Sequence, residues 1–208
     1  MRTQLEHIPE SFKDSIIYEV YNKGDEILEE GARNEFMYFI EEGYVGVYTH
    51  TKQGHKISIS FFKEGESFGI LEILDEDRTA QNVVALSTCK IRKISKAIVL
   101  EWMETDFSFN MHIVGLLQKY LEQTSFIMET LQSMTLKERI IVSLYKHYSD
   151  MTLRYLSKDM LIQETGSQRR TINRVLVELY DEGILMYKHK EFIILNIDEL
   201  EDLYNAII

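Results

Sequence analysis

Glycine all but stops at residue 95. Seven of the ten glycines lie in residues 1–95, whereas residues 96–165 hold only Gly115. Glycine supplies the tight turns that short strands need and weakens helix interiors. A chain with that asymmetry is expected to fold as two differently built parts. Its 208 residues suit one large domain or two small ones.

From about Ile17 to Ile94, short segments rich in β-branched and aromatic residues alternate with turns. Phe36–Ile40, Tyr44–Thr49, Lys56–Phe62 and Val83–Leu86 read as strands. Lys23-Gly24-Asp25, Glu42-Gly43, Gln53-Gly54-His55 and Glu64-Gly65-Glu66 read as turns. Strands recurring every ~8–12 residues point to an antiparallel barrel, roll or sandwich.

From Lys96 the pattern is helical. Phe107, Val114, Leu121 and Met128 fall seven apart, interleaved with Asn110, Leu117, Thr124 and Leu131. An a/d seam held for more than three heptads wants a partner, and a second copy of the chain is the simplest one. Packing of the seam on the β part is the alternative.

Beyond Met134, Lys137–Tyr148 presents Ile140, Ile141, Leu144 and Tyr148 on one face. Ser157–Thr165, opened by a capping Ser157, and Ser167–Glu182, with Ser167 as N-cap, make a helix pair broken at Thr165-Gly166. That is the spacing of a helix-turn-helix. Ile184–Tyr187, the charged turn Lys188-His189-Lys190-Glu191 and Phe192–Leu195 read as a hairpin wing, and Asp198 as the cap of a last helix.

The second helix of the pair opens Ser167-Gln168-Arg169-Arg170-Thr171-Ile172-Asn173-Arg174. Ile172, Val175, Leu176 and Leu179 would pack inward, leaving Arg169, Arg170, Asn173 and Arg174 outward. Arginines in a first turn oppose the helix dipole, so they serve an anionic partner better than the helix. Arginine is also the bidentate partner of guanine in the major groove. A solvated basic face is the bland alternative. The net charge of −11 speaks against indiscriminate coating of nucleic acid. Residues 154–174, however, carry five basic and two acidic side chains, a local reversal.

The single cysteine, Cys89, rules out an internal disulfide and a thiolate-rich metal or iron–sulfur site, and reads as a small core residue. Histidines 7, 50, 55, 112, 147 and 189 have no metal-ligand spacing; His189, in the wing turn, suits a phosphate. No nucleophile elbow, Walker loop or His-Glu-x-x-His is present, so no enzyme is expected. Without a long apolar run or an export signal, a cytoplasmic protein off the membrane is expected.

Leu156-Ser157-Lys158-Asp159 and Gly166-Ser167-Gln168-Arg169-Arg170-Thr171-Ile172-Asn173-Arg174-Val175-Leu176 resemble the DNA-binding signature of the CRP/FNR regulators. The resemblance implies that Arg169 and Arg174 read bases or phosphates and that Thr171 contacts the backbone. Ser167, Gln168, Asn173, Lys188 and His189 complete the expected DNA-facing set. Arg170 stands where the family has a base-reading glutamate, which implies a different operator half-site; Ile162 replaces a small residue. Gly24-Asp25-Glu26-Ile27, Gly31, Met37-Tyr38-Phe39-Ile40 and Gly43 resemble the cyclic-nucleotide-binding β-roll. Phe68-Gly69-Ile70-Leu71-Glu72 and Arg78-Thr79-Ala80 fall on its phosphate-binding cassette.

By that resemblance Gly69, Arg78 and Thr79 supply donors to a phosphodiester, and Thr124 and Ser125 the purine-contacting pair. The cassette's ribose-holding glutamate is Ile70 here, and an unpaired buried hydroxyl costs about 1–3 kcal/mol. Glu72 could compensate from two residues along a strand, on the same face but ~6.5–7 Å away. An ion pair of Arg78 with Asp75, Glu76 or Asp77 is the alternative to a ligand contact.

The expected architecture is α+β: an antiparallel, jelly-roll-like β-roll sensor over 1–95, a dimerisation helix over 96–133 and a winged helix-turn-helix over 134–208. Phe107, Val114, Leu117, Leu121, Thr124, Met128 and Leu131 form the expected dimer interface. The implied protein is a homodimeric transcription regulator of double-stranded DNA, on a pseudo-palindromic operator, with RNA polymerase as a further partner. A cyclic nucleotide or another small effector would act near Gly69, Glu72, Arg78, Thr79, Thr124 and Ser125. Two alternatives stand beside it: constitutive DNA binding without ligand, and a cyclic-nucleotide module acting through protein partners.

Overall fold

The computed structural model describes residues 8–50 and 56–208. It divides into two compact units, 1–118 and 119–208, each taken by itself below. The turn expected at Gln53-Gly54-His55 lies outside the described residues.

In the first unit a 3₁₀ turn, Glu10–Ser15, precedes eight strands: β1 (Ile17–Tyr21), β2 (Glu26–Leu28), β3 (Phe36–Glu42), β4 (Tyr44–His50), β5 (Lys56–Lys63), β6 (Ser67–Phe68), β7 (Asn82–Ala85) and β8 (Cys89–Ser95). One short helix, α1 (Ile70–Leu74), interrupts them. Two four-stranded antiparallel sheets result, in the orders β1-β8-β3-β6 and β2-β7-β4-β5.

The strand residues alternate in burial only where one face is wet. β3 and β4 bury four consecutive residues each. Tyr38, Ile40, Phe68 and Ile91 of one sheet and Val45, Val47, Val83 and Ala85 of the other form one core. Tyr38 and Phe68 stack at 4.7 Å between ring centroids, and Phe62 leans on Phe68 at 5.7 Å. Cys89 is fully buried in this core and its Sγ donates to the Tyr44 carbonyl at 3.2 Å.

Two helices follow, α2 (Lys96–Thr105) and α3 (Phe107–Ser133). The span 96–133 is thus not one helix. Asp106 separates the two because its carboxylate caps α3, accepting from the backbone N–H groups of Ser108 (2.8 Å) and Phe109 (3.4 Å). Trp102 stacks on Phe109 at 3.8 Å, and both are buried with Ile113. On another face of α3, Phe107, Val114, Leu121, Met128 and Leu131 are exposed, while Leu117 and Asn110 are half-buried. Thr124 and Ser125 are exposed too.

The second unit takes in α3 from residue 119 on and adds α4 (Leu136–Ser149), α5 (Lys158–Glu164), α6 (Arg169–Asp181), the hairpin β9 (Leu185–Lys188) and β10 (Glu191–Ile194), and α7 (Ile197–Ile207). Thr135 and Glu138 close a capping box that starts α4. Ile140, Leu144, Leu161, Ile172, Leu179, Leu185 and Leu200 are fully or almost fully buried. Truncating a residue such as Leu161 or Ile172 to alanine costs about 2–5 kcal/mol.

Two caps differ from expectation. Gln168, not Ser167, precedes α6, and its side chain caps nothing. Asn196, not Asp198, caps α7, accepting from Glu199 N–H at 3.2 Å; Asp198 lies inside the helix, in its first turn. Asn and Asp are near-equivalent caps, so the sequence alone did not separate them.

Candidate nucleic-acid interface and effector cassette

The turn between α5 and α6 is set by two residues. Thr165, fully buried, ends α5 by donating its hydroxyl to the Leu161 carbonyl at 2.6 Å. Gly166 then takes φ +61°, a conformation that would strain a side chain. Beneath the turn lies a polar network. Glu164 accepts from the Ser143 hydroxyl at 2.6 Å and pairs with His147 Nε2 at 3.0 Å, while His147 Nδ1 meets Thr152 Oγ1 at 2.8 Å. The first helix of the pair is tied to α4 at the place where the turn begins.

On α6, Ile172, Val175, Leu176 and Leu179 are buried, as the periodicity requires. Gln168, Arg169, Arg170, Asn173 and Arg174 are exposed, and Ser167 and Thr171 half-buried. The exposed groups differ in their partners. Arg169 forms an ion pair with Asp159 of α5. Arg174 lies 3.8 Å from Glu178, one turn on. Arg170 has no ion pair or hydrogen bond with any described residue.

Lys158, at the first position of α5, donates to Asn173 Oδ1 at 2.9 Å and lies 3.9 Å above the centre of the Tyr187 ring. Burial, and then the Arg169 charge, lower its pKa, with Asp159 acting against them. Lys158 is not among the expected DNA-facing residues. The signal was present: a cation at a helix start opposes the dipole there as it does at Arg169.

The hairpin turns through two residues, since Lys188 pairs with Glu191. His189 (φ 54°) and Lys190 (φ 66°) are both left-handed. Two such residues make the turn that asparagine and glycine fill with least strain. Lys188, His189 and Lys190 are all exposed. Lys190, not among the expected contacts, belongs with the other two.

The cassette lies in the first unit. Gly69 adopts φ +97°, and a Cβ there would sit 2.5 Å from the Phe36 carbonyl and 2.9 Å from Asn34 Nδ2. Only glycine fits. Ile70 is fully buried. Residues 70–74 are helical rather than extended, so Glu72, two residues on, is turned about 200° away from Ile70 instead of sharing its face. Its side chain, 11% exposed, lies 3.8 Å from Arg78. The partner of Arg78 is therefore Glu72, not Asp75, Glu76 or Asp77.

Arg78 and Glu72 line a cavity of about 220 Å³ with Arg33, Asn34, Glu35, Glu76 and Lys96, and Lys96 pairs with Glu76 at 2.9 Å. Three cations share it with three carboxylates. Thr79 is exposed. Tyr38 behind the cassette has its phenol pushed up to about 12, by burial first and then by the charges of Glu19 and Glu72. Among the described residues no cluster of His, Cys, Asp and Glu could hold a metal ion, and no helix is long and apolar enough to cross a membrane.

Residues 18–106 match the model of the cyclic nucleotide-binding domain. The cAMP-activated global transcriptional regulator CRP of Pasteurella multocida is 21% identical over 184 residues, covering 84% of this chain and 88% of that protein. A transcriptional regulator of the crp/fnr family from Eubacterium rectale has a similar fold, with a TM-score of 0.79 at 16% identity over 97% of both chains. The c-di-GMP-responsive global regulator CLP of Xanthomonas campestris gives a TM-score of 0.74 at 19% identity, over 90% of this chain and 97% of that one.

Proposed function

We propose that this member of the CRP/FNR family, with its cyclic nucleotide-binding domain at residues 18–106, is a homodimeric, sequence-specific DNA-binding transcription regulator. The observation that carries the reading is the exposed first turn of α6. Its first two turns leave Arg169, Arg170, Asn173 and Arg174 exposed, and the wing tip likewise exposes Lys188, His189 and Lys190. Recognition helices read base edges with their N-terminal residues while flanking cations take the phosphates.

The exposed stripe Phe107, Val114, Leu121 and Met128 supports pairing of two copies through α3. Two-fold symmetry then requires a pseudo-palindromic operator with half-sites about one helical turn apart. The three parts act as sensor (1–95), dimerisation segment (96–133, pairing through α3) and DNA-binding domain (134–208), with RNA polymerase as a further partner. Relatives include a cAMP-activated and a c-di-GMP-responsive regulator, so a small effector at the roll is the working control. The charge-balanced cavity at Arg78 and Glu72 suits a ligand carrying both signs of charge better than a bare phosphodiester. One observation favours DNA binding without ligand: buried Ile70 offers no partner to a ribose, and Arg78 already faces Glu72.

A gel shift with a randomised duplex pool tests the function. A steep loss of affinity with salt is expected, and Arg169→Ala should abolish selective binding while leaving the melting point unchanged. An unchanged shift in that variant, or a flat salt response, would overturn the assignment.

A further inference from the structure

We infer that Lys158 is a specificity-determining positioning residue: it fixes the carboxamide of Asn173 so that this side chain offers DNA donors only. The inference rests on the DNA-binding reading above and adds which base that position accepts.

The argument starts from the chemistry of the pair. An ammonium donates and never accepts, so the atom of Asn173 that faces Lys158 Nζ at 2.9 Å is the oxygen. The other end of the amide, which carries two N–H donors, then points away from Lys158. An asparagine that reads adenine presents its oxygen and its nitrogen together to the base edge, accepting from N6 and donating to N7. With Oδ1 turned to Lys158, that edge is broken up. Guanine shows two acceptors, O6 and N7, in the major groove. A donor-only asparagine beside a positive charge matches guanine and mismatches adenine, whose N6 amino group would face a second donor.

Lys158 is held for the task from two sides. Ser157 caps α5, accepting from Met160 N–H at 3.2 Å, which fixes where Lys158 starts the helix. The Tyr187 ring, 3.9 Å from Nζ, holds the ammonium from the wing strand β9. One lysine thereby joins α5, α6 and the wing, the three elements that meet the duplex in a winged helix-turn-helix. Removing a lysine that serves only as a phosphate contact would weaken all sequences alike and flatten the salt slope by about one. A positioning lysine changes the ranking of bases instead.

The test is selection of binding sites from a randomised duplex pool by the full-length chain and by Lys158→Ala, Lys158→Arg and Asn173→Ala. One base pair per half-site should lose its preference in Asn173→Ala. At that pair the unmodified chain should prefer guanine over adenine by about 5- to 150-fold. Lys158→Ala should bring adenine close to parity, and Lys158→Arg, still donor-only, should keep the guanine preference. Adenine preferred by the unmodified chain would overturn the inference. So would an unchanged profile in Asn173→Ala, or a uniform loss in Lys158→Ala with the ranking intact. If the unmodified chain selects no sequence at all, the DNA-binding reading fails first and the inference falls with it.

Discussion

The cassette around Gly69 and the recognition face after Gly166 are built from similar parts and differ in how far their positive charges are met. Each starts at a left-handed glycine, with arginines close to a short helix. In the cassette the positive charges are met from within: Arg78 by Glu72 and Lys96 by Glu76. On the recognition face, Arg170 and the wing tip are left without an acidic partner among the described residues. A cationic site that is neutralised internally has little electrostatic reason to recruit an anion, whereas one left open draws it in. The difference supports the proposed phosphate contact at Arg170 and the wing tip, without appeal to the overall charge of −11.

The largest effect at stake lies in the cassette. A phosphodiester bound at ~100 times its dissociation constant adds about 2.7 kcal/mol, roughly 5–10 °C at this size. The expected outcome is no such rise in thermal melts with cyclic AMP or cyclic GMP. A full rise that disappears in Arg78→Ala would erase the contrast between the two sites.

The wing sharpens the contrast from the other side. Left-handed backbone costs a residue with a side chain about 1–2 kcal/mol. His189→Asn with Lys190→Gly should therefore raise the melting point by a few degrees. The same variant should bind DNA more weakly, with a salt slope shallower by about one. Stabilisation without a change in DNA binding would mean that the strained turn serves something else.

The smallest effect concerns the one acid paired with the first turn of α6. Exposed ion pairs such as Arg169–Asp159 are worth about 0–1 kcal/mol. Asp159→Asn should free Arg169 and tighten DNA binding about two- to fivefold in a fluorescence titration at low salt. Weaker binding would show that Asp159 aims Arg169 rather than competing with the duplex.

How far the sequence carried these sites follows the range of the interactions. The buried face of α6 was legible because Ile172, Val175, Leu176 and Leu179 repeat with the helical period, which local geometry enforces. The strands expected at Phe36–Ile40 and Tyr44–Thr49 were legible for another reason, their β-branched and aromatic residues between glycine turns. The helical state of residues 70–74 was not legible. Five mostly apolar residues suit a strand or a helix equally, and the choice decided whether Glu72 shares a face with Ile70. Pairings across elements were hidden for another reason. Lys158 and Asn173 lie 15 residues apart on two helices, and Glu164 and His147 lie 17 apart. Only the crossing of the helices brings each pair together, and no periodicity encodes a crossing.

Cys89 lies in the core of the roll at the start of β8, fully buried, with its thiol engaged by the Tyr44 carbonyl. No other sulfhydryl exists in the chain. A thiol reagent can therefore react only when this part of the first unit opens. The labelling rate becomes a clock for opening of the first unit alone, readable by mass in a mixture, with the second unit chemically silent throughout.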